Sequence, residues 1–293
     1  MKLLLATHNA LVLWNQGQET VLHSGEGVYY GITWSPDTLY VVARGNQPSR
    51  MRVFAPNMWP LDDLPFEHLG PPGDGPHQAL WWDGALYVTN TQRNRVEIWR
   101  GGDEIEYLYF EEPVDSDVDH VNSIWREDHT GHFWVAEHRL KQRPKRFRVL
   151  DADLKLISTI DLDLDCLTDG PVHNGLHNVY VEDGTLHTLG PSQLALKNFE
   201  SQRVWEVELP GIVKYQHYLR GLARTDSLWL IGVSQAADRE HRGYGPSSVL
   251  ALDDDFKEVY RINLDKRYGQ LMEIRILDAP DYAHNGVRCP LNA

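Results

Sequence analysis

Apolar and polar residues alternate with a period of two along most of this chain. Arg95-Val96-Glu97-Ile98-Trp99 and Arg203-Val204-Trp205-Glu206-Val207-Glu208-Leu209 show it plainly, as half-buried β-strands do. Tyr107-Leu108-Tyr109-Phe110 and Leu154-Lys155-Leu156-Ile157-Ser158-Thr159-Ile160 are further strand-like runs. No long amphipathic helix stands out at the 3.6-residue period. Short strands with frequent turn signals predict an all-β fold.

One pattern is written five times. Its cores are Thr38-Leu39-Tyr40-Val41, Ala85-Leu86-Tyr87-Val88, His132-Phe133-Trp134-Val135, Thr185-Leu186-His187-Thr188 and Ser227-Leu228-Trp229-Leu230. Each follows a turn rich in Asp, Gly, Pro or Ser, and each turn follows a short apolar run. Those runs begin at Tyr30, His77, His120, His177 and Arg220, spaced 47, 43, 57 and 43 residues apart. Repeats of this length build arrays of small sheets. The unit reads as four strands. In residues 77–111 they are His77–Trp82, Ala85–Thr89, Arg95–Arg100 and Glu106–Phe110. Third strands are expected at Met51–Phe54, Arg146–Leu150, Val204–Leu209 and Ser248–Leu252, and fourth strands at Leu154–Ile160 and Val259–Leu264. Prolines at 60, 65, 71 and 72 obscure the fourth strand of the unit beginning at Tyr30.

The ends complete a sixth unit. Lys2–Ala6, Ala10–Trp14 and Thr20–His23 lack an inner strand, and Leu271–Leu277 is an inner strand lacking a sheet. Joining them predicts a six-bladed β-propeller over residues 1–293 as one domain, with no exposed array edges. The line Tyr30-Gly31-Ile32-Thr33-Trp34-Ser35-Pro36-Asp37-Thr38-Leu39-Tyr40-Val41 and this architecture resemble six-bladed propellers of the NHL and SMP-30/gluconolactonase-like kind. The SMP-30-like signature opens Gly-Glu-Gly-Pro. Here Gly25-Glu26-Gly27-Val28 lacks the proline and sits too far from Trp34. The Asn and Asp metal ligands of that family are also not at their places, so its calcium site and lactonase activity are not carried over.

Composition narrows the partners. The net charge of −14 argues against unassisted binding to nucleic acid or an anionic membrane. Two cysteines, Cys166 and Cys289, are too few for a disulfide scaffold. The four-residue apolar run near Met1 is shorter than a signal peptide needs, so the expected location is cytoplasmic.

The candidate chemistry follows from the repeat. In a radial array the starts of inner strands and the ends of second strands surround one mouth. That collects His77, His120, His177, Arg220 and Tyr30 at the axis, with Asn90, Glu137, His138, Gln193 and Gln235 as a second ring. Three converging imidazoles suit a divalent metal, Zn or Fe rather than Ca. His217, His173 and His284 are possible further ligands, and Glu273 on the closing strand is a candidate ligand or general base. Arg220 and Tyr30 suit a substrate carboxylate or phosphate. The tail Asp281-Tyr282-Ala283-His284-Asn285 is expected to fold back over the mouth. The basic run Arg139–Arg146 and the loop Asp238–Gly245 are expected at the same rim.

The structural alternative is ordinary: with 14 histidines, some sit at strand starts by chance and bond backbone carbonyls. The expected function is a metal-dependent enzyme acting on a small polar molecule, with hydrolase, lyase and oxygenase chemistry all open. A non-catalytic ligand- or protein-binding propeller is the alternative. No Gly-rich phosphate loop, Gly-x-Ser-x-Gly elbow or His-Glu-x-x-His motif is present.

Overall fold

A computed structural model describes residues 1–45, 49–62, 64–65, 75–101, 104–111, 117–138, 145–162, 176–286 and 289. Among these, the strands form six four-stranded antiparallel sheets arranged as the blades of a propeller. The inner strands of the second to sixth blades are Val28–Trp34, Pro76–Trp82, Val121–Arg126, His177–Glu182 and His217–Arg224. The first blade takes its inner strand, Leu271–Ile276, from the far end of the chain. That strand pairs antiparallel with Lys2–Thr7, Leu3 opposite Ile276 and Leu5 opposite Ile274. Closure therefore happens where the terminal patterns predicted it, and it leaves no unpaired inner edge.

Local chemistry explains the hairpins. Asp83-Gly84 and Asp183-Gly184 have φ of 47°, 73°, 48° and 67°, the left-handed pair that a two-residue hairpin turn requires. Alternating residues of the inner and second strands fill the spaces between blades: Leu3, Leu5, Ile274 and Ile276 pack with Leu230 and Val249, and Tyr87 and Val135 with Leu80 and Ile124. The outermost strands are the most exposed.

One strand assignment is corrected, and the strand obscured by prolines is located. In the fifth blade the third strand is Leu194–Asn198, and Val204–Val207 is the outer strand rather than the third. In the second blade the outer strand shrinks to Leu64–Pro65.

Side chains staple neighbouring blades around the channel. The backbone N–H groups of Trp81, Ile124, Asn178 and Gly221 donate to Thr33 Oγ1 (2.7 Å), Gln78 Oε1 (2.8 Å), Ser123 Oγ (2.9 Å) and Asn178 Oδ1 (3.1 Å). The C-terminal tail closes the end of the channel where the inner strands finish, not the mouth where they start. Tyr282 N–H donates to Arg224 O (2.8 Å), Trp125 Nε1 donates to Tyr282 O (3.0 Å), and the His284 ring lies 4.6 Å from that of Trp34. The tail thus bridges the second, fourth and sixth blades. No helix among the described residues is long and apolar enough to cross a membrane.

Candidate functional site

Every inner strand breaks register near its start. The shifts lie between Tyr29 and Ile32, Pro76 and Ala79, Val121 and Ser123, His177 and Tyr180, and Leu219 and Leu222; in the closing strand the shift falls at Met272. A bulge adds an unpaired residue and re-aims side chains. Here the bulges bring Tyr30, His77, Gln78, Asn122, Asn178, Arg220 and Met272 to the axis. Two glycines make this possible. A Cβ on Gly31 would overlap the backbone of Gln78 and Ala79, and Gly221 has a φ of 82°.

The expected imidazoles do meet, although they do not occupy equivalent positions. His77 is a bulge residue, His177 is the paired residue before its bulge, and His120 precedes its strand with a left-handed φ of 54°. Asn94 Oδ1 holds that turn by accepting from the N–H of His120 (3.0 Å) and of Asp119 (2.9 Å). The His77 ring centroid lies 5.9 Å from that of His120 and 6.0 Å from that of His177. His138, from the second ring, joins as a fourth at 4.7 Å from His120 and 5.8 Å from His177. The Tyr30 ring is 4.3 Å from His77.

Arg220 lies against this cluster and is 6% exposed. Its Nε donates to His177 Nε2 (3.2 Å), Nη1 to Met272 Sδ (3.0 Å) and Nη2 to the Tyr218 hydroxyl (3.4 Å). No carboxylate among the described residues lies within ion-pair distance of Arg220, Arg242 or Arg44. Burial and then Arg220 push the Arg242 guanidinium below its usual value, and its Nε is buried without a partner. Burial would raise the Tyr30 hydroxyl, yet Arg220, Arg44 and Arg242 together bring it below the usual tyrosine value. His77 and His177 are held neutral by burial first and Arg220 next, and His138 by burial and then His120.

The cluster is rich in donors and poor in acceptors. His177 faces Asn122 Nδ2 (3.3 Å) at one ring nitrogen and Arg220 Nε at the other. His138 Nε2 is buried with no partner. At the rim, His120 Nδ1 contacts both carboxylate oxygens of Asp117 (2.8 and 2.9 Å). That pairing fixes the proton on Nδ1 and leaves the Nε2 lone pair available.

The other expected residues are placed elsewhere. Glu273 accepts from Gln78 Nε2 (2.8 Å), Arg275 Nη1 (3.0 Å), Ile274 N–H (3.1 Å) and Asn178 Nδ2 (3.3 Å). Those four donors fix its carboxyl group inside the channel. A cavity of about 10 Å³, room for roughly one water, lies between it and the histidines. His217 takes Val213 N–H on Nδ1 (2.9 Å) and lines a separate pocket, as does Gln235. His284 bonds Thr33 Oγ1 (3.0 Å) at the far end of the channel. Asn90 and Glu137 turn into their own blades, toward Glu97 and Arg148. The Gln193 carbonyl accepts Gly190 N–H in a turn. The loop Asp238–Gly245 docks on the first blade through Asn9 Nδ2 to Gly243 O (2.7 Å). His173, Cys166 and residues 139–144 lie outside the described residues.

Among the described residues, no group of three or more His, Cys, Asp or Glu side chains is arranged to hold a metal ion. The donor set gives the reason. Arg220 faces His177 Nε2, Asp117 faces His120 Nδ1, and three guanidinium charges oppose a further cation.

No protein-family model matches the chain, and no curated protein matches its sequence. Solved structures do match in fold. A chain of a nidogen/laminin complex is 14% identical, covering 93% of this chain and 97% of that one at a TM-score of 0.64. A protein of unknown function from Bacteroides caccae is 15% identical, with coverage of 93% and 97% and a TM-score of 0.64. Virginiamycin B lyase from Staphylococcus aureus is 13% identical, with coverage of 76% and 70% and a TM-score of 0.54. At such identities the likeness shows the six-bladed propeller fold alone.

Proposed function

We propose that the axial mouth binds a small organic anion and performs acid–base chemistry on it, as a lyase or isomerase does. One observation carries this reading: Arg220 is buried among neutral imidazoles, and among the described residues no carboxylate lies within ion-pair distance of it. A guanidinium stays charged at any ordinary pH, and a buried charge without a counter-ion costs several kcal/mol. A carboxylate or phosphate of the substrate supplies that counter-ion, shared with Arg242 and Arg44. His120, backed by Asp117, is the general base through Nε2. Tyr30, acidified by the same three arginines, is the proton donor. That a lyase shares the fold is compatible with this reading.

Two measurements test it. Calorimetric titration with malonate and with inorganic phosphate in chloride-poor buffer should show saturable binding that disappears in Arg220→Met. Binding should strengthen from pH 7.5 to 5.5, because an anion favours protonation of His77, His138 and His177. The gain can reach about tenfold per pH unit for each proton taken up. For the chemistry, a panel of hydroxy acids and keto acids is incubated in D₂O and followed by proton NMR. Loss of a C–H signal that His120→Asn abolishes, with anion binding retained, supports proton abstraction. Absence of binding to either anion removes the reading.

A second reading keeps the histidines as ligands of Zn or Fe. The His77 ring centroid lying 5.9 Å from that of His120 and 6.0 Å from that of His177 favours it. It requires Arg220 to turn away from His177. Elemental analysis of tag-free protein decides between the two: near-stoichiometric metal lost in a His77→Ala, His120→Ala double variant supports the metal, and metal at buffer level supports the anion site.

A further inference from the structure

A second cavity, of about 600 Å³, lies off the axis against the sixth blade. That volume is in the ordinary range for small-molecule sites. Its wall is shared with the axial mouth, since successive residues of a strand face opposite ways. Tyr218 reaches toward His177, and His217 lines the off-axis cavity.

The chemistry of the two sites is opposite. Among the described residues, Arg261 is the one Lys, Arg, Asp or Glu side chain lining the second cavity. It is already neutralised, with Nη2 donating to Glu258 Oε2 (2.8 Å) and Pro210 O (2.8 Å). The side chains of Gln216, Gln235, Ser248 and Asn263 line the same cavity and make no hydrogen bond among the described residues. Three amides and a hydroxyl offer donors and acceptors in mixture, with no net charge. Val213 N–H occupies His217 Nδ1, so the neutral ring presents Nε2–H as one more donor. Tyr215 completes the wall. It is half exposed, and its φ of 69° is a conformation that a tyrosine rarely adopts. Backbone strain of this kind collects at ligand-binding segments.

We propose that this cavity is a binding site for a neutral saccharide. Sugar hydroxyls both donate and accept, which matches the unbonded amides. The apolar C–H face of a sugar ring matches an exposed aromatic ring. A charged ligand finds no counter-charge here, and a purely apolar one would leave the amides unsatisfied.

Saturation-transfer NMR with glucose, maltose and cellobiose, each presented singly to the whole protein, tests the assignment. Transfer is expected from at least one of the three. In a Tyr215→Ala, Asn263→Leu variant the affinity for that sugar should fall on the order of tenfold or more. Both substitutions are at exposed positions, and an unchanged melting temperature in the variant shows that it folds. Phosphate binding at the axial mouth should be unaffected, so the two sites fail or survive separately. Absence of transfer from all three sugars, or transfer undiminished in the folded variant, overturns the assignment.

Discussion

Replacing Arg220 by methionine is expected to stabilise the protein and to make it blind to anions. The guanidinium is 6% exposed, and its bonds to His177, Met272 and Tyr218 are long or involve sulfur. Each such bond contributes about 0.5–1.5 kcal/mol at best. Against them stand the desolvation of a permanent charge and its repulsion of Arg242. Where buried charges are replaced by apolar side chains of similar volume, the gain is often about 1–4 kcal/mol. Allowing for the lost bonds, Arg220→Met should gain about 1–3 kcal/mol. At roughly 2–4 °C per kcal/mol for a chain of this size class, the melting temperature should rise about 2–12 °C. The assay is urea and thermal unfolding in phosphate- and sulfate-free buffer at pH 7.5. A parallel series adds malonate. The native protein should gain about 2.7 kcal/mol at a hundredfold excess over Kd, and the variant nothing. A variant destabilised by more than about 2 kcal/mol without anion would refute the reasoning, because Arg220 would then be satisfied by the fold itself.

Three further outcomes are expected. Asp281, fully buried in the tail, has its carboxyl pushed up by burial to about 7 from an ordinary 3.8. The folded protein therefore holds this proton where the unfolded chain releases it, so the contribution of Asp281 to stability is full below pH 4 and is lost as pH rises to 7. Asp281→Asn should thus gain on the native protein by up to about 4 kcal/mol between pH 4 and 7.5, read from urea midpoints; a constant difference would contradict this. Glu273→Gln leaves Arg275, 1% exposed, without its carboxylate, and should cost about 3–5 kcal/mol by the same assay; a cost under about 1 kcal/mol would show that backbone carbonyls suffice for Arg275. Gly31→Ala drives a methyl group into the backbone of the third blade and should cost about 3 kcal/mol or abolish soluble expression, whereas Gly101→Ala, with open space around it but a φ of 94°, should cost only the backbone strain of about 1–2 kcal/mol.

The blades were legible in the sequence because a half-buried strand prints its two faces as alternation. The same rule misplaced the fifth blade. Val204–Val207 alternates because it is an outer strand, partly exposed along its whole length. Leu194–Asn198, its inner neighbour, starts with three fully buried residues and shows less contrast. The closing strand was legible because Leu271–Ile276 had no partner nearby in the chain. The bulges left no trace in the pattern, since one extra residue changes register without changing composition. That is why His77, His120 and His177 were aligned as equivalents when they converge from three different positions. His138 follows a second strand, in the outer ring the repeat predicts, yet its ring joins the cluster. Arg44 ends a second strand as Asn90 does, so the repeat contained its signal. Arg242 sits in a loop, and nothing in a single sequence says which loop charge faces the axis. That no carboxylate among the described residues reaches Arg220 is a property of three-dimensional surroundings alone.

The most direct measurement is a crystal structure of the protein soaked in selenate, with anomalous data collected at the selenium edge. A selenium peak within hydrogen-bonding reach of the Arg220 guanidinium, flanked by Arg242 and His138 Nε2, is the expected result. A metal peak between His77, His120 and His177 with Arg220 swung out of the cluster, or selenate bound everywhere except the axial mouth, would contradict it.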